Sequence, residues 1–125
     1  MPTDRVLHTT DFFQSAPGEP LRIVMAESSL STVVAWHVEP GQAISGHRHP
    51  AGQDTWIVLS GEAVYFTDAE GTGHRIRAGD VAIAEPGAVH GALNVGSEPF
   101  RFVSVVAPPE SGFEPVTVKG NHGPP

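Results

Sequence analysis

Two histidines separated by one residue, His47 and His49, are the side chains of this sequence best placed to do chemistry together. In an extended chain, side chains at i and i+2 point the same way, so both imidazoles can converge on one point. Neutral imidazole is the commonest metal ligand in proteins and suits Zn, Cu, Fe and Ni. The pair lies in Gly41-Gln-Ala-Ile-Ser-Gly-His47-Arg-His49-Pro-Ala-Gly-Gln53-Asp54-Thr-Trp-Ile-Val-Leu-Ser-Gly61. A second stretch rich in turn and donor residues is Gly79-Asp80-Val-Ala-Ile-Ala-Glu85-Pro86-Gly87-Ala-Val-His90-Gly-Ala-Leu-Asn94. The chain has no cysteine, which removes thiolate ligation, a disulfide framework and a cysteine nucleophile together. It also lacks a Gly-rich phosphate loop, a Gly-x-Ser-x-Gly elbow and a zinc-protease helix motif.

The elements that must position these residues read as short strands. Leu21 to Glu27, Ser31 to Val38, Gln42 to His49, Asp54 to Leu59, Ala63 to Thr67, His74 to Arg77, Val81 to Ala84, His90 to Val95 and Phe100 to Val106 are extended, β-branched or aromatic runs. Turns at Pro40-Gly41, Pro50-Ala51-Gly52, Ser60-Gly61, Ala78-Gly79-Asp80 and Glu85-Pro86-Gly87 separate many of them. Strands recur roughly every 8 to 12 residues and no long 3.6 period appears, so the pattern predicts an all-β sandwich or barrel. Asp54 to Leu59 carries apolar side chains on both faces, which predicts burial on both sides. Phe113 to Val118 could pack back onto the barrel, and the Gly- and Pro-rich end, Gly120 to Pro125, reads as a frayed tail. One domain over residues 1–125, with its core at about 20–107, is the expected organisation.

With these motifs in order, the sequence resembles the cupin superfamily. In the first stretch Gly41, His47, His49 and Gly61 match the family pattern, with Asp54 standing where a glutamate belongs. In the second, Gly79, Gly87, His90 and Asn94 match, with Glu85 where a proline belongs. The resemblance implies an antiparallel double-stranded β-helix (jelly-roll) barrel. It implies one divalent transition metal (Fe, Mn, Ni or Zn) held inside by His47, His49 and His90, with Asp54 as the doubtful fourth. Aspartate is one methylene shorter than glutamate, so Asp54 either reaches by a backbone shift, binds through a water or stays off the metal. Gln53 is a candidate only if the turn at Pro50-Ala51-Gly52 breaks strand parity, which otherwise points it to the opposite face. With three histidines alone the metal would keep open positions, the mark of catalytic rather than structural sites. Cupins act as dioxygenases, decarboxylases, isomerases and lyases, and fold alone does not choose among them. The resemblance implies a small-molecule ligand in the barrel. Among enzyme readings, dioxygenase-type chemistry on a partly apolar substrate is expected, because a three-histidine iron site would leave room for both O₂ and substrate. The alternative is a non-catalytic metal-dependent binding or sensing module. It also implies a homodimer, which would cover the second apolar face of Asp54 to Leu59.

The remaining residues have plainer readings. Trp36, Trp56, Tyr65, Phe100 and Phe102 are core by default, with Trp56 sharing Asp54's parity and able to wall a cavity. His8, His37, His74 and His122 match no ligand position; His37 reads as a hydrogen-bonded structural histidine. Glu85 reads as solvated, Asp80 as a turn residue, Asn94 as a backbone tie, and Arg48 as outward-facing toward a partner subunit. Acidic residues outnumber basic ones, 14 to 7, for a formal charge of −7. Such a surface repels phosphate backbones and anionic lipid, arguing against nucleic-acid and membrane-surface binding. No apolar run approaches the roughly 18 residues that span a bilayer, and Met1 to Thr10 lacks a secretory-signal pattern. A cysteine-free chain without these signals fits the cytoplasm.

Overall fold

The computed structural model describes residues 5–120. His122 and most of the expected frayed tail lie outside the described residues. Ten strands follow a short 3-10 turn at Thr9–Asp11: β1 (Ile23–Glu27), β2 (Thr32–Val38), β3 (Ala43–Arg48), β4 (Gln53–Ser60), β5 (Glu62–Phe66), β6 (Gly73–Arg77), β7 (Val81–Ala84), β8 (His90–Leu93), β9 (Phe100–Ala107) and β10 (Glu114–Pro115). They form two five-stranded antiparallel sheets, in the orders β1-β2-β9-β4-β7 and β10-β3-β8-β5-β6. This is the expected double-stranded β-helix, with its strands within a residue or two of their predicted bounds.

Alternation places the core between the sheets. On β4, Asp54, Trp56 and Val58 face inward and are buried, while Gln53, Ile57 and Leu59 face outward and are exposed. Trp56 lies opposite Ser104, and Val58 opposite Phe102, across the β4–β9 ladder. Val38, Ile44, Trp56, Val58, Tyr65, Ala92, Phe100 and Phe102 belong to one packed cluster, and Trp56 stacks on Phe102 at 4.0 Å between ring centroids. Fully burying a large apolar side chain stabilises by about 1.5–3 kcal/mol, so the aromatic residues dominate this interior.

The expectation that β4 is buried on both faces is not met. Ile57 and Leu59 share an exposed outer surface with Val81 and Ile83 of β7. The reason lies in the N-terminal segment, which covers only the other end of that sheet. There Phe13 lies under the Arg101 guanidinium, Ser15 donates to Glu39, and Gln42 donates to the Ala16 carbonyl. On that part of the outer face Ala35 and His37 are buried. The C-terminal segment does return, with β10 pairing Glu114 to Arg48 and Pro115 to His47 on β3.

Candidate functional site

His47 and His90 face each other directly across the β3–β8 ladder. His49 lies just beyond β3, and Asp54 projects from β4 of the opposite sheet. The loop before His90 is tied to the first histidine segment, because the Gly87 amide donates to the His49 carbonyl at 2.9 Å. Gly87 holds φ +81°, a left-handed conformation that glycine adopts without the Cβ penalty. One donor atom from each of His47, His49, Asp54 and His90 lies within 4.8 Å of the other three.

The orientation of the rings follows from hydrogen bonds. Each imidazole donates its Nδ1–H to a backbone carbonyl: His47 to Ser45 at 2.7 Å, His49 to Gly112 at 2.8 Å and His90 to Ala88 at 3.1 Å. A carbonyl can only accept, so Nδ1 carries the proton in all three, and a neutral ring then presents a lone pair at Nε2. Such outer hydrogen bonds select the tautomer and orient the ring of metal-binding histidines.

Asp54 completes the cluster. Its Oδ2 lies 2.9 Å from His90 Nε2 and 3.3 Å from His49 Nε2. A carboxylate oxygen facing two lone pairs is repelled by both, so this arrangement demands a proton or a cation at its centre. Asp54 Oδ1 is buried without a hydrogen-bond partner, which a buried carboxylate oxygen tolerates poorly. The Asp54 side chain is only 5 % exposed. Without a metal, protons on Nε2 fill the central role: burial drives the Asp54 pKa up, but the hydrogen bonds it accepts from His49 and His90 outweigh burial and hold it at about 2. The bond to Asp54 raises the pKa of His49. Burial, reinforced by the neighbouring His90, lowers His47 to about 4, leaving that ring neutral.

Three imidazoles and one carboxylate are donors that divalent transition metals accept. Ligands bound at about 2.0–2.2 Å sit roughly 3 to 4 Å apart around a shared cation, a spacing the Asp54 contacts already meet. The short reach of aspartate is therefore no obstacle: β4 carries its backbone close enough for the carboxylate to contact two of the rings. The residues present fit a divalent metal.

Gln53, the less expected ligand candidate, is not brought to this cluster. It is exposed on the outer face of β4 and its amide contacts Thr55 Oγ1 at 3.2 Å, as strand alternation requires. Arg48 does point outward, and it pairs with Glu114 of the same chain at 2.7 Å. Asn94 ties backbone, donating to the Val38 and Glu98 carbonyls at 2.9 Å each. His37 is structural, between Glu39 and Arg101, and Asp80 accepts from the Arg77 amide in its turn. Trp56 packs edge-on against His90 at 5.9 Å.

The C-terminal segment contributes more than its sequence suggested. Besides the Gly112 carbonyl, it supplies Phe113, stacked 5.2 Å from His47. Gly52 makes room for this return, since a Cβ there would overlap the Ser111 hydroxyl. A cavity of about 340 Å³ opens onto His47 and His49 and is lined by Glu19, Arg22, Trp36, Ile44 and Phe113 among others. Trp36 is thus a cavity wall as well as a neighbour of the core. Trp36 was expected in the core and Phe113 only to pack back onto the barrel, while nothing in the sequence aimed Glu19 or Arg22 at the site.

A family profile for the cupin domain matches residues 34–106, over half of the sequence and spanning every residue of the cluster. The chain belongs to the cupin family. Among solved structures, this cupin is similar to an uncharacterized conserved protein with a double-stranded β-helix domain from Klebsiella pneumoniae subsp. pneumoniae MGH 78578. The two share 50% identity at a TM-score of 0.88, covering 91% of this chain and 98% of the other. An RmlC-like cupin protein from Desulfovibrio desulfuricans matches at 21% identity and TM-score 0.69, over 87% of this chain and 98% of the other. A predicted oxalate decarboxylase from Thermotoga maritima matches at 19% identity and TM-score 0.68, over 82% and 97%. The latter two likenesses show the fold alone. No curated protein matches this cupin in sequence. Among the described residues, no helix is long and apolar enough to cross a membrane.

Proposed function

We propose that this cupin holds one divalent transition metal on His47, His49, His90 and Asp54 and uses it to bind and transform a small organic molecule. The observation that carries this reading is the shared tautomer of the three rings. Each has its Nδ1–H fixed on a carbonyl, which leaves Nε2 as its ligand atom for the centre, where Asp54 supplies negative charge. When bound, a metal there supplies Lewis acidity or, as iron, oxygen activation. The chain's own contribution is to orient the donors, hold Asp54 ionised and keep His47 unprotonated. Trp36, Ile44 and Phe113 shield one side of the site with apolar surface.

Fe, Mn, Ni and Zn all accept this donor set, and dioxygenase-type chemistry is the enzymatic reading we adopt for iron. A non-catalytic binding or sensing module is the second reading. It draws on the cavity wall, whose ionisable groups besides His47 and His49 are Glu19 and Arg22, both exposed. Oxygen uptake by the iron-loaded protein with candidate substrates separates the two. We also propose residence in the cytoplasm, supported by the absence of cysteine, and a homodimer formed over Ile57, Leu59, Val81 and Ile83. Sedimentation as a strict monomer would end the dimer proposal.

Elemental analysis tests the metal reading directly. Protein purified without added metal should carry close to one metal per chain, and His47→Ala or His90→Ala should remove it while far-UV dichroism stays unchanged. Wild-type occupancy below about a tenth after metal addition would overturn the reading.

A further inference from the structure

Among the described residues Arg22 is a cation without a partner, exposed in the wall of the cavity that opens onto His47 and His49. Four of the other cations of this acidic protein are engaged, and neither of the remaining two, Arg5 and Arg77, lines this cavity. Arg48 pairs with Glu114 at 2.7 Å, Arg75 with Glu62 at 2.5 Å and Lys119 with Glu70 at 3.0 Å, while Arg101 bonds His37 and covers Phe13. Among the described residues Arg22 has no ion-pair partner and no side-chain hydrogen bond, although it lines the same cavity as Glu19, His47 and His49. Its charge is felt at His49, where it opposes that of the ring. The segment leading to it is anchored on the barrel, because Ser15 donates to Glu39 at 2.5 Å and Gln42 donates to the Ala16 carbonyl at 2.7 Å. Arg22 therefore follows a fastened strap into β1 rather than a free tail.

The rest of the wall defines what such a cation could receive. Trp36, Ile44 and Phe113 add apolar and aromatic surface to the wall that Arg22 shares with His47 and His49. A volume of about 340 Å³ lies near the lower end of small-molecule sites. Glu19 in the same wall repels a second free anionic group at the mouth. We propose that Arg22 determines specificity at this cavity and that the site takes small organic monocarboxylates with an apolar body. The carboxylate meets Arg22, the body lies against Trp36 and Phe113, and the far end is turned toward the histidines and Asp54. A guanidinium receives a carboxylate through two parallel hydrogen bonds, which an amide cannot reproduce.

This inference rests on the cavity being the ligand site of the proposed metal centre, and its test keeps the two apart. The probes are benzoate and its neutral isostere benzamide, titrated into the full zinc-treated chain by calorimetry and by tryptophan fluorescence, with zinc content measured on the same samples. Benzoate should bind more tightly than benzamide, and raising the salt concentration should weaken benzoate alone. Arg22→Gln should weaken benzoate roughly three- to tenfold, as expected for one exposed ionic contact with good geometry, and leave benzamide unchanged. Arg22→Lys should restore only part of the loss. Equal affinity for the two probes, no benzoate binding, or benzoate binding untouched by Arg22→Gln would each overturn the proposal. Absence of zinc from the wild type would instead refute the metal reading. The benzoate preference and its dependence on Arg22 would still be measured on that metal-free chain.

Discussion

Replacing Asp54 with asparagine removes one charge from the centre of the barrel while changing little volume. In the metal-free protein the Asp54 carboxyl titrates at about 2, against an ordinary value of 3.8. A folded value below the unfolded one means that ionised Asp54 stabilises the fold above pH 4, and that this contribution is lost as pH falls through about 2. At 1.36 kcal/mol per pKa unit the difference amounts to about 2 kcal/mol near neutrality. Asparagine resembles the protonated acid, so Asp54→Asn should lower the stability of metal-free protein by about that amount. For a chain of this length the change is roughly 6–12 °C in Tm. Urea denaturation at pH 7 should show a lower midpoint with an unchanged slope. The gap between variant and wild type should narrow as the pH approaches the carboxyl's own titration. With metal present the gap should widen, because ligand binding to the folded state adds to stability and the variant has lost an anionic donor. A variant as stable as wild type at pH 7 without metal, and equally stabilised by metal, would refute both the interaction of Asp54 with His49 and His90 and its place at the metal.

Two further outcomes follow from the same geometry. His47 is held at about 4 against an ordinary 6.5, so its folded form resists protonation. Its contribution, about 3 kcal/mol, should be complete above pH 6.5 and lost as pH falls toward 4. His49, raised by Asp54, acts oppositely: its contribution is present below pH 6.5 and lost as pH rises through its folded value. Urea midpoints of metal-free protein should therefore fall on the acid side, and His47→Gln should flatten that limb. Gly52→Ala should force Ser111 away and disturb the Gly112 carbonyl that orients His49. The expected loss is about 1–3 kcal/mol of stability, as for overpacking, together with weaker metal retention. Unchanged melting and metal content would show that the C-terminal segment can move at no cost.

Much of this cupin was legible in its sequence because strand chemistry is periodic. The i, i+2 rule aimed His47 and His49 inward and Arg48 outward, and the same rule turned Gln53 away from Asp54. Turn residues marked the strand ends, since Gly and Pro limit where a ladder can continue. The pairing of the two histidine segments required the family pattern, because periodicity within each strand says nothing about which strands become neighbours.

Tertiary structure alone decided the rest. Asp54 reaches His49 and His90 only because its strand belongs to the opposite sheet, so the shorter side chain is offset by where the backbone runs. The Gly112 carbonyl, Phe113 and Arg22 join the site from segments with little pattern of their own, carried there by the returning C-terminal chain and the fastened N-terminal strap. The outer face of β4 stayed bare because that strap covers only the far side of its sheet. Local composition dictates which way a side chain points along its own strand, whereas which groups meet across the barrel is set by long-range register, to which short-range sequence is blind.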